Sequence, residues 1–264
     1  MRHLLACTAI APVLAALPLA QAWADTTIAT ATTAPVRTST IANGAADNIV
    51  ISSAGSITLP SGAAVTVDSN HGASNAGAIT INDADNATGL LVGPGLTGAI
   101  ANGGTITLTE NYTPTDSDND GDVDGTFARG ANRNAIWVQG AHSGAISQGG
   151  TVSIEGNASA GVRIDGPLVG DLSTSGPTNV IGDNSYGVIA RDVTGNVTLR
   201  GATVATGANS VGAALLGDIN GALKIQGSIS STGYRSTTRP TDVTKLDADD
   251  LLQGGSAVVI AGNV

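Results

Sequence analysis

Cysteine and aromatic residues are scarce in this sequence of 264 residues. The single cysteine is Cys7, close to the amino terminus, so the rest of the chain must be stable without a disulfide bond. Aromatic residues make up only 2%, which leaves Val, Ile, Leu and Ala to form a core. Hydrophobic residues nevertheless reach 41%, and that share argues against a disordered chain.

Basic residues are also few. The chain has 11 Lys and Arg against 21 Asp and Glu, a formal net charge of −10. Nucleic-acid binding depends mainly on clustered Lys and Arg, so this composition argues against a nucleic-acid partner. The motifs Gly-x-Ser-x-Gly, His-Glu-x-x-His and Gly-x-x-x-x-Gly-Lys are absent. We therefore expect a protein that is not an enzyme, without catalytic or cofactor-binding residues.

Long hydrophobic runs are missing except at the amino terminus. A short basic opening precedes the largely apolar stretch Leu4–Leu19, and Ala22-Trp23-Ala24 supplies small residues at the two positions that a signal peptidase reads. This pattern predicts a signal peptide at residues 1–24 and export through the periplasm to the outer membrane, the cell surface or the medium. A transmembrane anchor is the alternative, but Pro12 and Pro18 interrupt the apolar run.

Glycine is abundant, with 36 residues, and much of it belongs to an internal repeat. Units that open with Asn-x-x-Gly, in one case with an extra residue, begin at Asn86, Asn157, Asn184 and Asn209. Gly187 follows Gly161 by 26 residues, and Gly212 follows Gly187 by 25. A unit at Asn134 fits this period if Trp137 takes the place of the glycine.

Each unit continues into a strand with apolar residues at alternate positions, as in Thr105–Leu108 and Thr151–Ile154. One unit cannot bury its apolar face alone, so stability requires stacking of neighbouring units. We therefore predict an all-β fold: a right-handed parallel β-helix over residues 48–264, preceded by a Thr/Ala-rich segment or cap at residues 25–47. The motif asparagines are expected to stack as a ladder. An antiparallel β-sandwich, the alternative, does not require one motif to return at this period.

Two insertions interrupt the repeat, near residues 110–131 and 233–254. Both follow an alternating strand and precede the next glycine-containing turn, a corner that Ile154-Glu-Gly-Asn157 crosses in few residues. Insertions at equivalent positions are expected to leave the solenoid on one face, where such loops often bind partners. Tolerated decoration of the surface is the alternative interpretation.

The first insertion contains the pattern Asp-x-Asp-x-Asp-Gly, which is typical of calcium-binding loops. Its candidate metal ligands are Asp116, Asp118, Asp120, Asp122 and Asp124. Carboxylates at alternate positions can surround a Ca²⁺ ion, which takes six to eight oxygen ligands, and the glycine allows the sharp turn between them. The pattern is similar to the start of an EF-hand but departs from it at the twelfth position, where Phe127 replaces the bidentate glutamate. The sequence therefore predicts Ca²⁺ as a cofactor, with a solvated acidic loop as the alternative.

The signal peptide, the repeats from 48 to 264, the Asp-rich insertion and the segment TTRPTDVTKLDADDLLQGG together resemble passenger domains of alphaproteobacterial autotransporters, sphingomonad-like ones especially. The resemblance implies a cell-surface protein with an adhesive or structural role, and an extracellular surface or a carbohydrate as its ligand. It also implies a partner, an outer-membrane β-barrel that forms the C-terminal part of the same polypeptide. Because the sequence stops at Val264 within a repeat, we expect an amino-terminal fragment that lacks this barrel.

Two other functions remain open. Parallel β-helices include polysaccharide lyases and hydrolases, which use acidic groups along a cleft, so a secreted carbohydrate-active enzyme is the main alternative. Charged residues within the repeats are few, however. Asp165 and Arg191 have the same phase in neighbouring units, where we expect them to stack as a surface salt bridge. The other alternative is a filament-forming adhesin that is secreted through a separate barrel.

Overall fold

The computed structural model describes residues 25–117, 119, 123–233, 242, 244, 246 and 248–264. This part of the chain is all-β and forms a solenoid, in which strands of successive rungs pair in parallel. The predicted parallel β-helix is therefore confirmed. The predicted signal peptide at residues 1–24 lies outside the described residues.

Three long sheets, named A, B and C, and a short corner sheet D form the walls of the solenoid. Sheet A contains β1 (Thr26–Ile28), β4 (Ile49–Ile51), β7 (Ala73–Asn75), β11 (Ile100–Asn102), β15 (Ile146–Gln148), β19 (Leu172–Thr174), β22 (Val197–Leu199) and β25 (Leu223–Ile225). Sheet B contains β2 (Ala31–Thr32), β5 (Ser56–Leu59), β8 (Ala78–Asn82), β12 (Thr105–Thr109), β16 (Thr151–Glu155), β20 (Thr178–Ile181), β23 (Thr203–Thr206) and β26 (Ile229–Thr232). Sheet C contains β3 (Val36–Arg37), β6 (Ala63–Val67), β9 (Thr88–Val92), β13 (Asn134–Val138), β17 (Ala160–Ile164), β21 (Tyr186–Ala190), β24 (Val211–Leu215) and β27 (Val258–Ile260). Sheet D contains β10 (Leu96–Thr97), β14 (His142–Ser143) and β18 (Leu168–Val169).

Each rung passes from sheet A to sheet B to sheet C, and the alternation of side chains along each strand fills the interior with aliphatic residues. In β12, Ile106 and Leu108 are fully buried whereas Thr107 faces outward. Ile106 pairs with Val152 of the next rung, so each apolar layer covers the one before it. The segment 25–47 contributes β1, β2 and β3, the first strand of each long sheet.

The repeat units are in register, with one exception. Ala160 pairs with Tyr186 and Tyr186 with Val211, which places Gly161, Gly187 and Gly212 in one column. In the exceptional unit, Asn134 pairs with Thr88, and Trp137 pairs with Leu91 and Arg163. The prediction that Trp137 takes the glycine place was therefore wrong. Ala135 stands in the glycine column and Asn132 at the asparagine position, because the insertion before them obscured the phase of the repeat.

Steric crowding explains the glycine column. A Cβ atom at Gly187 would overlap the Cγ2 atom of Thr203 in sheet B and the carbonyl oxygen of Gly212 on the next rung. Sheets B and C approach each other closely at Gly187, so a side chain there would displace its neighbours, whereas the rung that follows the first insertion has Ala135 in this column.

The asparagines at the motif position have a different role, because they occupy a surface turn with left-handed backbone conformation. Their φ angles are 57° at Asn86, 57° at Asn132, 54° at Asn184 and 58° at Asn209. In the unit of Asn157 this position is Ala158, with φ 49°. Asparagine tolerates this conformation better than most residues. The expected ladder is partial: the Asn132 Nδ2 atom donates to Asn86 Oδ1 at 2.8 Å, and Asn209 Nδ2 to Asn184 Oδ1 at 3.5 Å.

A second ladder of amide side chains is buried between sheets A and B. Asn75 Nδ2 donates to Asn102 Oδ1 at 2.8 Å, and Asn102 Nδ2 donates to Gln148 Oε1 at 2.7 Å. The chain of amides ends where Gln148 Nε2 donates to the Gly150 carbonyl oxygen at 2.9 Å. These bonds satisfy polar groups that would otherwise be costly inside the solenoid.

His142 is the inward side chain of β14 at the corner formed by sheet D. It is only 2% exposed, and it pairs in register with Leu96 on one rung and Leu168 on the next. Its Nε2 atom contacts the Gly98 carbonyl oxygen at 2.9 Å, and its Nδ1 atom has no hydrogen-bond partner among the described residues. Burial lowers the pKa of His142 below its ordinary value of 6.5, against the smaller opposing effect of hydrogen bonds to the Gly98 and Leu96 backbone.

Candidate binding site at the two insertions

Both insertions leave the solenoid at the same corner, as predicted. The first connects β12 of sheet B to β13 of sheet C, and the second connects β26 of sheet B to β27 of sheet C. The two loops contact each other, because the Gly125 backbone N–H donates to Asp249 Oδ2 at 2.6 Å. Segments separated by four rungs thus form one surface.

A buried ion pair anchors the first insertion at both of its ends. Glu110 begins the loop and Arg133 follows it, and Arg133 Nη1 lies 3.0 Å from Glu110 Oε2 with both side chains almost fully buried. Glu110 also accepts the backbone N–H groups of Arg129 at 2.7 Å and Gly130 at 2.8 Å. Because one carboxylate binds the start of the loop to its end, the base of the insertion is closed.

Arg133 also joins the insertion to the solenoid. Its Nε atom donates to the Ala84 carbonyl oxygen at 2.8 Å, and its Nη1 atom also donates to the carbonyl oxygen of Glu155. On the following rungs the same corner has Ser159 and Ser185 instead, in a column where the Ser159 hydroxyl accepts the Arg133 N–H at 2.9 Å. The arginine thus stands at the start of a serine ladder, at the rung that the insertion enters.

Two aromatic side chains stand over sheet B, one near each end of the insertion. They are Tyr112 and Phe127, the latter only 8% exposed, in a chain with only two Trp, three Tyr and one Phe. The guanidinium of Arg129 lies 4.3 Å from the centroid of the Tyr112 ring, an arrangement that favours a fixed ring position. A third of the aromatic residues of the chain is therefore concentrated at this loop.

A cavity of about 630 Å³ lies between the first insertion and sheet B. Its walls come from the insertion, namely Glu110, Tyr112, Pro114 and Phe127. Its floor is the outer face of β16, β20, β23 and β26, namely Glu155, Ile181, Val204, Thr206, Ser230 and Thr232. Two columns in register make up this floor, since Glu155 pairs with Ile181, and Val204 pairs with Ser230. We regard this cavity as the candidate binding site.

Two of the predicted calcium ligands in the same insertion, Asp116 and Asp124, are among the described residues. The Asp116 carboxylate accepts the Asn119 N–H at 2.6 Å. The Asp124 carboxylate accepts the backbone N–H of Ser117 and, at 2.6 Å, its hydroxyl, which brings Asp124 to the turn that begins at Asp116. The remaining predicted ligands, Asp118, Asp120 and Asp122, lie outside the described residues. Within the described part of the chain no cluster of three or more His, Cys, Asp or Glu could hold a metal ion, so the calcium site stays a prediction.

The predicted salt bridge between Asp165 and Arg191 was wrong. Their neighbours Ile164 and Ala190 pair in register, but the Asp165 carboxylate is bound on its own rung and on the one before. Arg163 Nε lies 2.9 Å from it, and Trp137 Nε1 donates to it at 2.8 Å. A partner two residues away on the same strand face competes successfully with one on the next rung.

Sequence reasoning missed the residues that build the cavity. Glu110 and Arg133 flank the insertion, and this position was the only signal that could have identified them. Tyr112 and Phe127 could have been noticed because aromatic residues are so scarce. Their position over sheet B depends on the path of the loop, which no repeat pattern encodes.

Comparison with known protein families, with curated proteins and with solved structures finds no match to this chain. Among the described residues, no helix has the length and apolarity needed to cross a membrane.

Proposed function

We propose that the chain is the passenger part of a bacterial autotransporter, exported to the cell surface, where it has an adhesive or structural role. The observation that carries this proposal is the meeting of both insertions, through Gly125 and Asp249, over one face of a long regular scaffold. Eight rungs at about 4.8 Å each extend over roughly 34 Å. Such a scaffold holds two loops at a fixed separation, which suits recognition of an extracellular surface or a carbohydrate.

Two sequence features support the same proposal. The amino-terminal pattern is typical of a secretory signal peptide, and the absence of cysteine after Cys7 suits a chain that crosses an outer membrane unfolded. The partner that this proposal requires is an outer-membrane β-barrel encoded on the same polypeptide. Calcium bound by the Asp-rich loop is part of the proposal, because carboxylates at alternate positions are ligands that this ion prefers.

A non-catalytic role is proposed because Glu110, one of the two carboxylates of the cavity, has both oxygens engaged in structural contacts. Glu110 binds Arg133 and two backbone N–H groups. Glu155 Oε2 accepts the Glu110 N–H at 3.0 Å. A glycoside hydrolase needs two carboxyl groups that are free to exchange protons or attack the sugar. The presence of Glu110 and Glu155 in one cavity is nevertheless the observation that favours the second candidate, a carbohydrate-active enzyme.

Surface display of the chain tests the passenger proposal. The chain would be expressed in front of an outer-membrane barrel, and intact cells would be treated with protease and assayed for adhesion to extracellular matrix and glycan surfaces. A variant in which residues 111–128 are replaced by a short Gly-Asn linker should remain on the surface and lose most adhesion. Retention of the chain in the periplasm, or equal adhesion of the two forms, would refute the proposal.

An assay of polysaccharide cleavage distinguishes the carbohydrate-active enzyme from the non-catalytic passenger. Purified protein would be incubated with a panel of acidic and neutral polysaccharides, and new reducing ends would be measured. We expect no turnover with the unmodified chain. Turnover that disappears in the Glu155→Gln variant would show that the protein is an enzyme.

A further inference from the structure

The cavity beneath the first insertion has the size of a small-molecule site. Its volume of about 630 Å³ lies within the range of roughly 300–1,000 Å³ in which ligand sites commonly fall. Half of the lining residues are apolar: Tyr112, Pro114, Phe127, Ile181 and Val204. Hydroxyl groups of a ligand placed over Ile181 and Val204 and beneath Phe127 would find no hydrogen-bond partner in these side chains. The lining therefore favours a ligand with a largely apolar body.

The walls are held in place by contacts that do not depend on a ligand. The Glu110–Arg133 ion pair is buried and closes the base of the insertion. Tyr112 is held by the Arg129 guanidinium, and Phe127 is nearly buried. A site formed in advance avoids the entropic cost of ordering a loop when a ligand binds.

The charges around the cavity indicate which ligand fits. Glu110 and Glu155 line it, but the charge of Glu110 is balanced by Arg133. Glu155 receives the Glu110 N–H through Oε2 and is half-buried at the end of β16, in register with Ile181. Arg129 adds a positive charge beside Tyr112 on the wall, but at the floor next to Glu155 an anionic group would be repelled, whereas a cation would form a charge-assisted contact with this carboxylate.

We propose that this cavity binds a small organic cation with an apolar body, such as an aryl- or alkylammonium ion. Its charged nitrogen contacts the Glu155 carboxylate, and its apolar part lies over Ile181 and Val204 beneath Tyr112 and Phe127. This inference does not rest on the autotransporter proposal, because it concerns binding by the folded chain alone.

Calorimetric titration with three matched probes tests the inference. The probes are 4-phenylbutylamine, 4-phenylbutanol and 4-phenylbutyrate, which share the same apolar body and differ only in the end group. We expect the amine to bind about tenfold more tightly than the alcohol, as a charge-assisted hydrogen bond in a half-buried site would give. The carboxylate should bind most weakly.

Two variants locate the binding. Glu155→Gln keeps an oxygen that accepts the Glu110 N–H and should abolish the preference for the amine while the alcohol still binds. Ile181→Arg places a cation beside Glu155 and fills the floor, so it should abolish binding of the amine. Thr80→Arg, on the outer face of β8 away from the cavity, is the matched control and should bind like the unmodified chain.

The result that would overturn the inference is equally specific. Failure of the amine to bind the unmodified chain, equal affinity for amine and alcohol, or undiminished binding by Ile181→Arg would each contradict it. If Ile181→Arg fails to fold, as judged by circular dichroism, Glu155→Gln still tests the inference. An unchanged preference of this variant for the amine over the alcohol would contradict it.

Discussion

Replacing Arg133 by methionine removes the guanidinium that is buried beneath the first insertion, while keeping much of its volume. The change leaves the Glu110 carboxylate with only its two backbone N–H donors, and the Ala84 and Glu155 carbonyl oxygens lose their arginine donor. Breaking a buried ion pair by removing one partner costs about 3–5 kcal/mol, because an uncompensated charge remains inside. We expect a loss of that size in the free energy of unfolding.

Urea denaturation followed by circular dichroism measures this loss, and hydrogen exchange of the Arg129 and Gly130 amides shows whether the loop base opens locally. A matched control exists at the surface. Arg37 lies 3.2 Å from Asp68, but its side chain is 59% exposed, so Arg37→Met should cost less than about 1 kcal/mol.

A double-mutant cycle isolates the ion pair itself. Glu110→Gln alone should also destabilise the protein, and the double variant with Arg133→Met should lose about 1–3 kcal/mol less than the sum of the two single changes. The reasoning would be refuted if Arg133→Met cost no more than Arg37→Met, or if the effects of the two single changes added without coupling.

Three further predictions concern the glycine column, the buried histidine and the acidic loop. Gly187→Ala should destabilise the solenoid strongly, because its Cβ would overlap Thr203, whereas Gly103→Ala should be tolerated because the nearest atom is 3.7 Å away; thermal unfolding compares the two. His142 has a folded pKa below 6.5, so the unfolded chain binds more protons below that pH, and stability should fall as pH decreases from 6.5 towards the lowered value. A His142→Leu variant should lose this dependence in the same unfolding assay across pH. Calorimetry with Ca²⁺ should show binding heat for the unmodified chain and a reduced heat for Asp118→Ala.

Each of these three predictions would be contradicted by a specific result. Equal melting temperatures for the Gly187 and Gly103 variants would show that the corner can widen. A pH dependence that is unchanged in the His142→Leu variant would assign it to other groups. Absence of binding heat with and without Asp118 would end the calcium hypothesis.

Much of the architecture could be predicted because it follows from local patterns that repeat. The alternation in Thr105–Leu108 and Thr151–Ile154 requires strands with one apolar face, and the recurrence of the pattern requires rungs that cover one another. The return of Gly161 and Gly187 at a constant interval reflects the close contact of sheets B and C at their corner. The pattern failed beside the first insertion, where Asn134 was assigned to the wrong phase, and at Asn157, where Ala158 holds the motif position.

Sequence patterns predicted much less of the candidate binding site. Asp116 and Asp124 were identified from their spacing, and the structure brings Asp124 to the turn that begins at Asp116. The cavity was not foreseen, since its floor consists of outward residues such as Ile181 and Val204, which look like ordinary surface positions of a strand. Ile181 and Val204 line a cavity only because the first insertion covers them.

The stacking of rungs thus follows from the amino-acid sequence alone. An alternating aliphatic pattern that returns at a constant interval can bury its apolar face in few other ways. Folding in three dimensions decided the rest: the burial of Glu110 with Arg133, and the placement of Tyr112 and Phe127 over sheet B. These contacts join residues on different rungs or at opposite ends of an insertion. They depend on the path of the backbone between them, and no short-range pattern of residues specifies that path.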